Sequence, residues 1–177
     1  MCPFEYYTYD DYVNWEGDWE LIDGIAYAMA PSPAKDHQFL LSLLNFAFQK
    51  ELFSCQECKV FVEMDYKIDE ENVVKPDLAI LCKEDKEERF ISIAPDLIIE
   101  VVSKSSAKRD EKIKFEMYEK EKVKYYILAY PNDKKVKVFK LQNNKYEKIG
   151  DFREDACEFE LNNCKIKVNF KEIFERL

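Results

Sequence analysis

The stretch Asp96-Leu97-Ile98-Ile99-Glu100-Val101-Val102-Ser103 decides how this chain folds. It is apolar almost without a break, the pattern of a central strand covered on both faces rather than of a half-exposed one. Glu100 is the exception. A carboxylate inside such a strand is costly to bury unpaired, so it needs a cation, a buried partner or a shared proton. Two plainer placements compete: Glu100 turned outward from an edge strand, or paired with a lysine.

Outward from this strand the elements alternate. Downstream, Ser105 or Ser106 can cap a helix running to about Lys120, and residues 123–129 read as another core strand. Residues 136–141 and 145–149 form a hairpin about Asn143-Asn144; a short strand (164–168) and a helix starting at Phe170 follow. Upstream, residues 59–68 form a long strand, Asp69-Glu70-Glu71-Asn72 turns the chain, and residues 73–81 return through Pro76-Asp77. Residues 36–52 form a helix with only a narrow wet stripe of Gln38, Ser42, Asn45 and Gln49, so its other faces are expected to be covered by the sheet or by a second subunit. A short helix (10–15) and strands at 19–22 and 25–30, joined by Asp23-Gly24 and stopped by Pro31-Ser32-Pro33, complete the reading. These alternating elements predict a single α/β domain over residues 1–177, a central mixed β-sheet flanked by helices.

Composition sets bounds. The 177 residues are 47% apolar and 15% aromatic, enough for one packed core. The net charge of −9 argues against a broad basic surface for wrapping duplex DNA, though not against a local basic groove. Three glycines leave no phosphate-cradling loop, one histidine leaves no histidine-rich zinc site, and nothing resembles a serine or cysteine triad. Met1-Cys2-Pro3-Phe4-Glu5 carries no basic stretch before an apolar one, and the apolar run 39–48 is too short to span a bilayer; a cytoplasmic protein is expected. The six cysteines are then expected as reduced thiols. Cys55-Gln56-Glu57-Cys58 lacks a second CxxC or a supporting histidine, and reads as a helix-end turn with two free thiols.

Asp77 lies 23 residues before Glu100, on the returning strand. Two carboxylates on neighbouring strands can converge on one hard cation such as Mg²⁺, which prefers oxygen ligands. Pro95-Asp96 is a decoy, because Asp96 sits four residues before Glu100 on the same strand, too far along it to share an ion.

Several pieces in fixed order resemble the Uma-two (Uma2) family of putative restriction endonucleases, a bacterial branch of the PD-(D/E)XK superfamily. They are Trp19-Glu20-Leu21-Ile22-Asp23-Gly24, Met29-Ala30-Pro31-Ser32-Pro33, His37, Val74-Lys75-Pro76-Asp77, residues 94–103, the four-residue steps Asp110, Lys114 and Tyr118, and Val123-Lys124-Tyr125-Tyr126-Ile127. The family usually has Gly-Val where this chain has Lys122-Val123. The resemblance implies a restriction-endonuclease-like fold and a Mg²⁺-dependent (or Mn²⁺-dependent) endonuclease acting on DNA. It adds Glu20 as a third acidic ligand beside Asp77 and Glu100, with the Val101 carbonyl as a fourth. The Glu-x-Lys position holds Val102, which carries no charge. Lys114 is the implied substitute catalytic lysine, on one helical face with Asp110 and Tyr118; the plain alternative is an Asp110–Lys114 ion pair on a wet face. Lys104 is a second candidate, and His37 either faces the phosphate or caps and packs. Lys75, Lys104, Lys108, Arg109 and Lys112 could receive a phosphate backbone. The competing function is a non-catalytic, dimeric binding or assembly module, favoured by the acidic charge, by Val102 and by the apolar helix.

Overall fold

A computed structural model describes residues 5–29 and 34–177; the expected Pro31-Ser32-Pro33 stop lies outside them. Six strands form the main sheet in the order β10-β9-β8-β7-β6-β3. These are β3 (Lys59–Val62), β6 (Leu78–Leu81), β7 (Leu97–Val101), β8 (Tyr125–Tyr130), β9 (Lys135–Gln142) and β10 (Lys145–Phe152). Only β7 and β8 run parallel, so the sheet is mixed. The parallel pair is linked through a π-helical turn (Arg109–Lys114) that continues into α3 (Phe115–Lys120). Asn143 and Asn144, both at positive φ, turn the β9–β10 hairpin, a conformation asparagine tolerates better than most residues.

Every residue of β7 is buried, and alternation divides its side chains between two cores. Leu97, Ile99 and Val101 pack with α2 (Lys35–Leu52), α4 (Phe170–Phe174) and the hairpin of β11 (Ala156–Leu161) and β12 (Cys164–Asn169). Ile98 and Val102 pack with Tyr118, Tyr126 and Leu128 beneath α3. Glu100 shares the parity of Ile98 and Val102, so it enters the second layer and not solvent.

A second sheet, β2-β1-β5-β4, comprises β1 (Trp19–Ile22), β2 (Ile25–Ala28), β4 (Tyr66–Lys67) and β5 (Val73–Val74). The long strand expected at 59–68 and its return at 73–81 are therefore each broken in two. The breaks coincide: Glu63 sits at φ 50° and its N–H donates to the Asp77 carbonyl at 3.1 Å. Pro76 has no N–H to offer a ladder. Both segments leave one sheet for the other at this level, and Asp77 is the residue at the corner.

The helix α2 is less covered than its sequence suggests. Leu40, Leu41, Leu44, Phe48 and Leu52 are buried, whereas Phe39 and Phe46 stay exposed, as does Phe53 just beyond the helix. The expected thiols also differ: Cys55 is paired with Cys164 and Cys58 with Cys82, leaving Cys157 as the free cysteine among the described residues. No described helix is long and apolar enough to cross a membrane. The first helix, α1 (Tyr9–Tyr12), is shorter than the 10–15 reading.

Candidate active site

Leu78 pairs with Ile99, so Asp77 and Glu100 stand opposite one another at the end of the β6–β7 ladder. The Asp77 N–H points to Glu100 Oε2 at 3.4 Å, and the Val101 N–H donates to Asp77 Oδ2 at 2.6 Å. Glu20 arrives from β1 in the second sheet and is fully buried; its Oε1 accepts the Lys75 N–H at 3.0 Å. Asp110 and Lys114 come from the π-helical turn and are buried as well. A π turn inserts a residue into the helical repeat, which here lets Arg109, Asp110 and Lys114 all face the sheet.

Lys114 is the hub. Its Nζ is 2.5 Å from Glu20 Oε1, 2.9 Å from Glu100 Oε1 and 3.9 Å from Asp110 Oδ1. The wet-face alternative for Lys114 is overturned, since the side chain is 3% exposed. Burial alone would push its ammonium down, but Glu100, Glu20 and Asp110 together hold it well above the ordinary lysine value. Burial pushes the Glu100 carboxyl well up, against the pull of Lys114 and with help from Asp110, Asp77 and Glu20. Asp110 is raised for the same reasons, although Lys114 and Ser106 oppose the shift. Tyr118 donates its hydroxyl to Glu100 Oε1 at 2.9 Å, and burial beside that carboxylate keeps the phenol protonated.

Arg109 Nε lies 2.9 Å from Glu20 Oε2, yet its N–H is not aimed at the oxygen, and both atoms lack a hydrogen bond. Glu20 thus keeps a buried oxygen with an unused lone pair. At the other edge, His37 leads α2 into the site instead of capping it, with Nε2 3.4 Å from Asp77 Oδ2 and Nδ1 buried without a partner. Burial would lower the His37 imidazole, but Asp77, Glu63 and Asp110 outweigh it and raise the pKa.

Beside them lies a cleft of ≈ 520 Å³ whose walls include His37, Lys75, Asp77, Glu100, Val101 and Lys114. Ser103, Ser105, Ser106 and Arg109 line it too. Lys104 does not: it is exposed, on the turn after β7, and does not join the site. Lys108 and Lys112 are also exposed. Two of the expected phosphate-facing cations are already engaged, Arg109 with Glu20 and Lys75 with Asp18 at 2.6 Å. The decoy Asp96 has its own task, accepting the Cys82 N–H at 2.8 Å. Sequence reasoning missed the inward turn of Arg109 and the serine rim. The only signal for them is the spacing Ser103-Lys104-Ser105-Ser106 ahead of Arg109-Asp110.

A scan of family models matches residues 5–157 to Uma2, described as "Putative restriction endonuclease". The chain belongs to the Uma2 family. A solved structure similar to it is a putative nuclease of DUF820 from Anabaena variabilis, 17% identical, covering 95% of this chain and 97% of that one at a TM-score of 0.75. At that identity the likeness speaks for the fold, which is restriction-endonuclease-like. No curated protein matches the chain. Glu20, Asp77, Glu100 and Lys114 come from four separate segments; Asp77, Glu100 and Lys114 line the cleft, and Glu20 is buried against Lys114.

The fit of a divalent cation rests on the type of donor. Glu20, Asp77, Glu100 and Asp110 are buried carboxylates, with Lys114, Arg109 and His37 facing them. The donor set is all oxygen, which suits Mg²⁺ or Mn²⁺, and Glu20 Oε2 is unsatisfied. Lys114 nevertheless stands between Glu20 and Glu100. Among the described residues no three His, Cys, Asp or Glu side chains surround a common metal position.

Proposed function

We propose that this Uma2 protein is a divalent-metal-dependent endonuclease that hydrolyses DNA phosphodiester bonds in the cleft bordered by Asp77 and Glu100. The observation that carries the reading is the convergence of four buried carboxylates, Glu20, Asp77, Glu100 and Asp110, around Lys114 at one end of β6 and β7. Mg²⁺, with Mn²⁺ as substitute, would be held by Glu20, Asp77 and Glu100 and by the Val101 carbonyl. When bound, the ion lowers the pKa of a water and offsets charge on the scissile phosphate.

The chain's own residues divide the rest of the work. Lys114 stays protonated, so it serves as a fixed positive charge and not as a base. Tyr118 and the Asp77 N–H hold the two oxygens of Glu100 in place. Asp110 holds Lys114 from the helix side. His37, with its raised pKa, can donate to a phosphate oxygen at the cleft wall. Supercoiled plasmid incubated with Mg²⁺ or Mn²⁺ tests this: the wild type nicks it, and Asp77→Asn and Glu100→Gln do not.

A second reading is favoured by one contact. Lys114 already pairs with Glu20 Oε1 and Glu100 Oε1, as it would in a non-catalytic binding or assembly module. In either reading we propose a homodimer through α2, since Phe39, Phe46 and Phe53 are exposed on or just past that helix, Phe53 by 92%, and such large apolar groups gain from burial. A cytoplasmic location fits both readings.

A further inference from the structure

Cys55, Cys58, Cys82 and Cys164 come from three separate places in the chain and are paired across them. Cys55 and Cys58 lie in the turn after α2, where the Cys58 N–H donates to the Cys55 carbonyl at 3.0 Å. Lys59 pairs with Leu81, so Cys58 and Cys82 are the next positions beyond the β3–β6 ladder, with Cα atoms 4.0 Å apart. Leu161 pairs with Cys164 at the mouth of the β11–β12 hairpin, and the Cys55 and Cys164 Cα atoms are 6.0 Å apart. Asn162, in the same hairpin turn, ties the group together: its amide donates to the Cys82 carbonyl at 3.2 Å and to Glu57 Oε2 at 3.3 Å. Cys157, the remaining described cysteine, stands apart as a buried thiol.

The four-residue turn 55–58 carries one cysteine of each pair and so joins the two pairs. A C-x₂-C turn with two further cysteines is the ligand set of a tetrahedral structural zinc site. Paired as disulfides, the sulfurs are not metal ligands. Reduced, the same backbone presents four thiols.

We propose that Cys55, Cys58, Cys82 and Cys164 form a tetrathiolate Zn²⁺ site in the reduced protein, independent of the acidic cleft. The balance is simple. Two dithiol reductants each pass two electrons and two protons to one disulfide and become cyclic disulfides themselves, leaving four cysteine thiols. One Zn²⁺ then displaces four protons and binds four thiolates. The ion ties the α2–β3 turn, the edge of the main sheet and the β11–β12 hairpin together where a reducing compartment would dissolve the disulfides.

The test uses the whole chain, reduced without chelator and titrated anaerobically with Co²⁺. The proposal expects one equivalent to give the intense d–d bands of tetrahedral cobalt with sulfur-to-metal charge transfer, both erased by one equivalent of Zn²⁺. Cys82→Ser and Cys164→Ser should lose the tetrathiolate spectrum and Glu100→Gln should keep it, which separates this site from the carboxylates. The melting temperature of the reduced wild type should rise until one Zn²⁺ per chain is bound. Reduced wild type that binds Co²⁺ without charge-transfer bands, or that keeps both disulfides by intact mass under the reductant, overturns the site.

Discussion

The Lys114 ammonium lies 2.5 Å from Glu20 Oε1, so one buried ion pair joins the π-helical turn behind the main sheet to the first strand of the smaller sheet. The same nitrogen reaches Glu100 on β7. Lys114 is thus a structural keystone as well as the cation of the proposed active site, and these roles separate by mutation.

Removing the ammonium while keeping its bulk, as in Lys114→Met, leaves Glu20, Glu100 and Asp110 without their common partner. Breaking a buried ion pair from one side costs about 3–5 kcal/mol. Urea denaturation should show a loss of that size, and Glu100→Gln added to Lys114→Met should recover part of it, because residues in one network are not additive.

Glu100→Gln alone should be mild without metal. The amide keeps its one oxygen for Tyr118 and Lys114 at the Oε1 position, gives up only the long 3.4 Å contact from the Asp77 N–H, and removes a charge that burial disfavours. Its melting temperature should stay within ~3 °C of the wild type, a shift of about 1 kcal/mol in a chain of this size. The stabilisation that Mg²⁺ gives the wild type should disappear, as binding to the folded state alone produces it.

The buried Cys157 thiol is pushed up to about 11, by burial first and then by the neighbouring Glu158 carboxylate. The reactive form is the thiolate, so its population stays small well above neutral pH. Modification of Cys157 by a thiol reagent at pH 8 should therefore follow unfolding: slow in buffer and fast in denaturant. Fast reaction in the native protein would place this thiol elsewhere.

Phe46→Glu should leave the fold intact, since the ring is 64% exposed, and should convert the proposed dimer to monomer in light scattering. An unchanged mass would move any dimer contact away from α2.

How far the sequence carried this account depended on whether a residue's role was local. Glu100 could be singled out because a charge inside a nearly unbroken apolar run has few places to go, and a mixed sheet followed from the alternation of strands and helices. The two-sheet corner could not be read: Glu63 and Pro76 look like ordinary strand positions until the Glu63 N–H meets the Asp77 carbonyl. Strand β11 escaped because Cys157-Glu158-Phe159-Glu160-Leu161 is charged at every second position, though the alternation is that of a half-buried strand. The cysteine pairings were hidden by separations of 109 and 24 residues. The inward turn of Arg109 depends on a π turn, which shifts which residues share a face.

The central claim, a divalent-metal site used on DNA, is tested most directly by titrating Mg²⁺ and Mn²⁺ calorimetrically into wild type and Glu100→Gln, with plasmid nicking measured on the same samples. The account predicts saturable binding and metal-dependent nicking by the wild type, with both lost in the variant while its melting temperature holds. Wild-type protein that binds neither ion and leaves the plasmid intact would contradict it, and would leave Lys114 as the sole counter-charge of a non-catalytic fold.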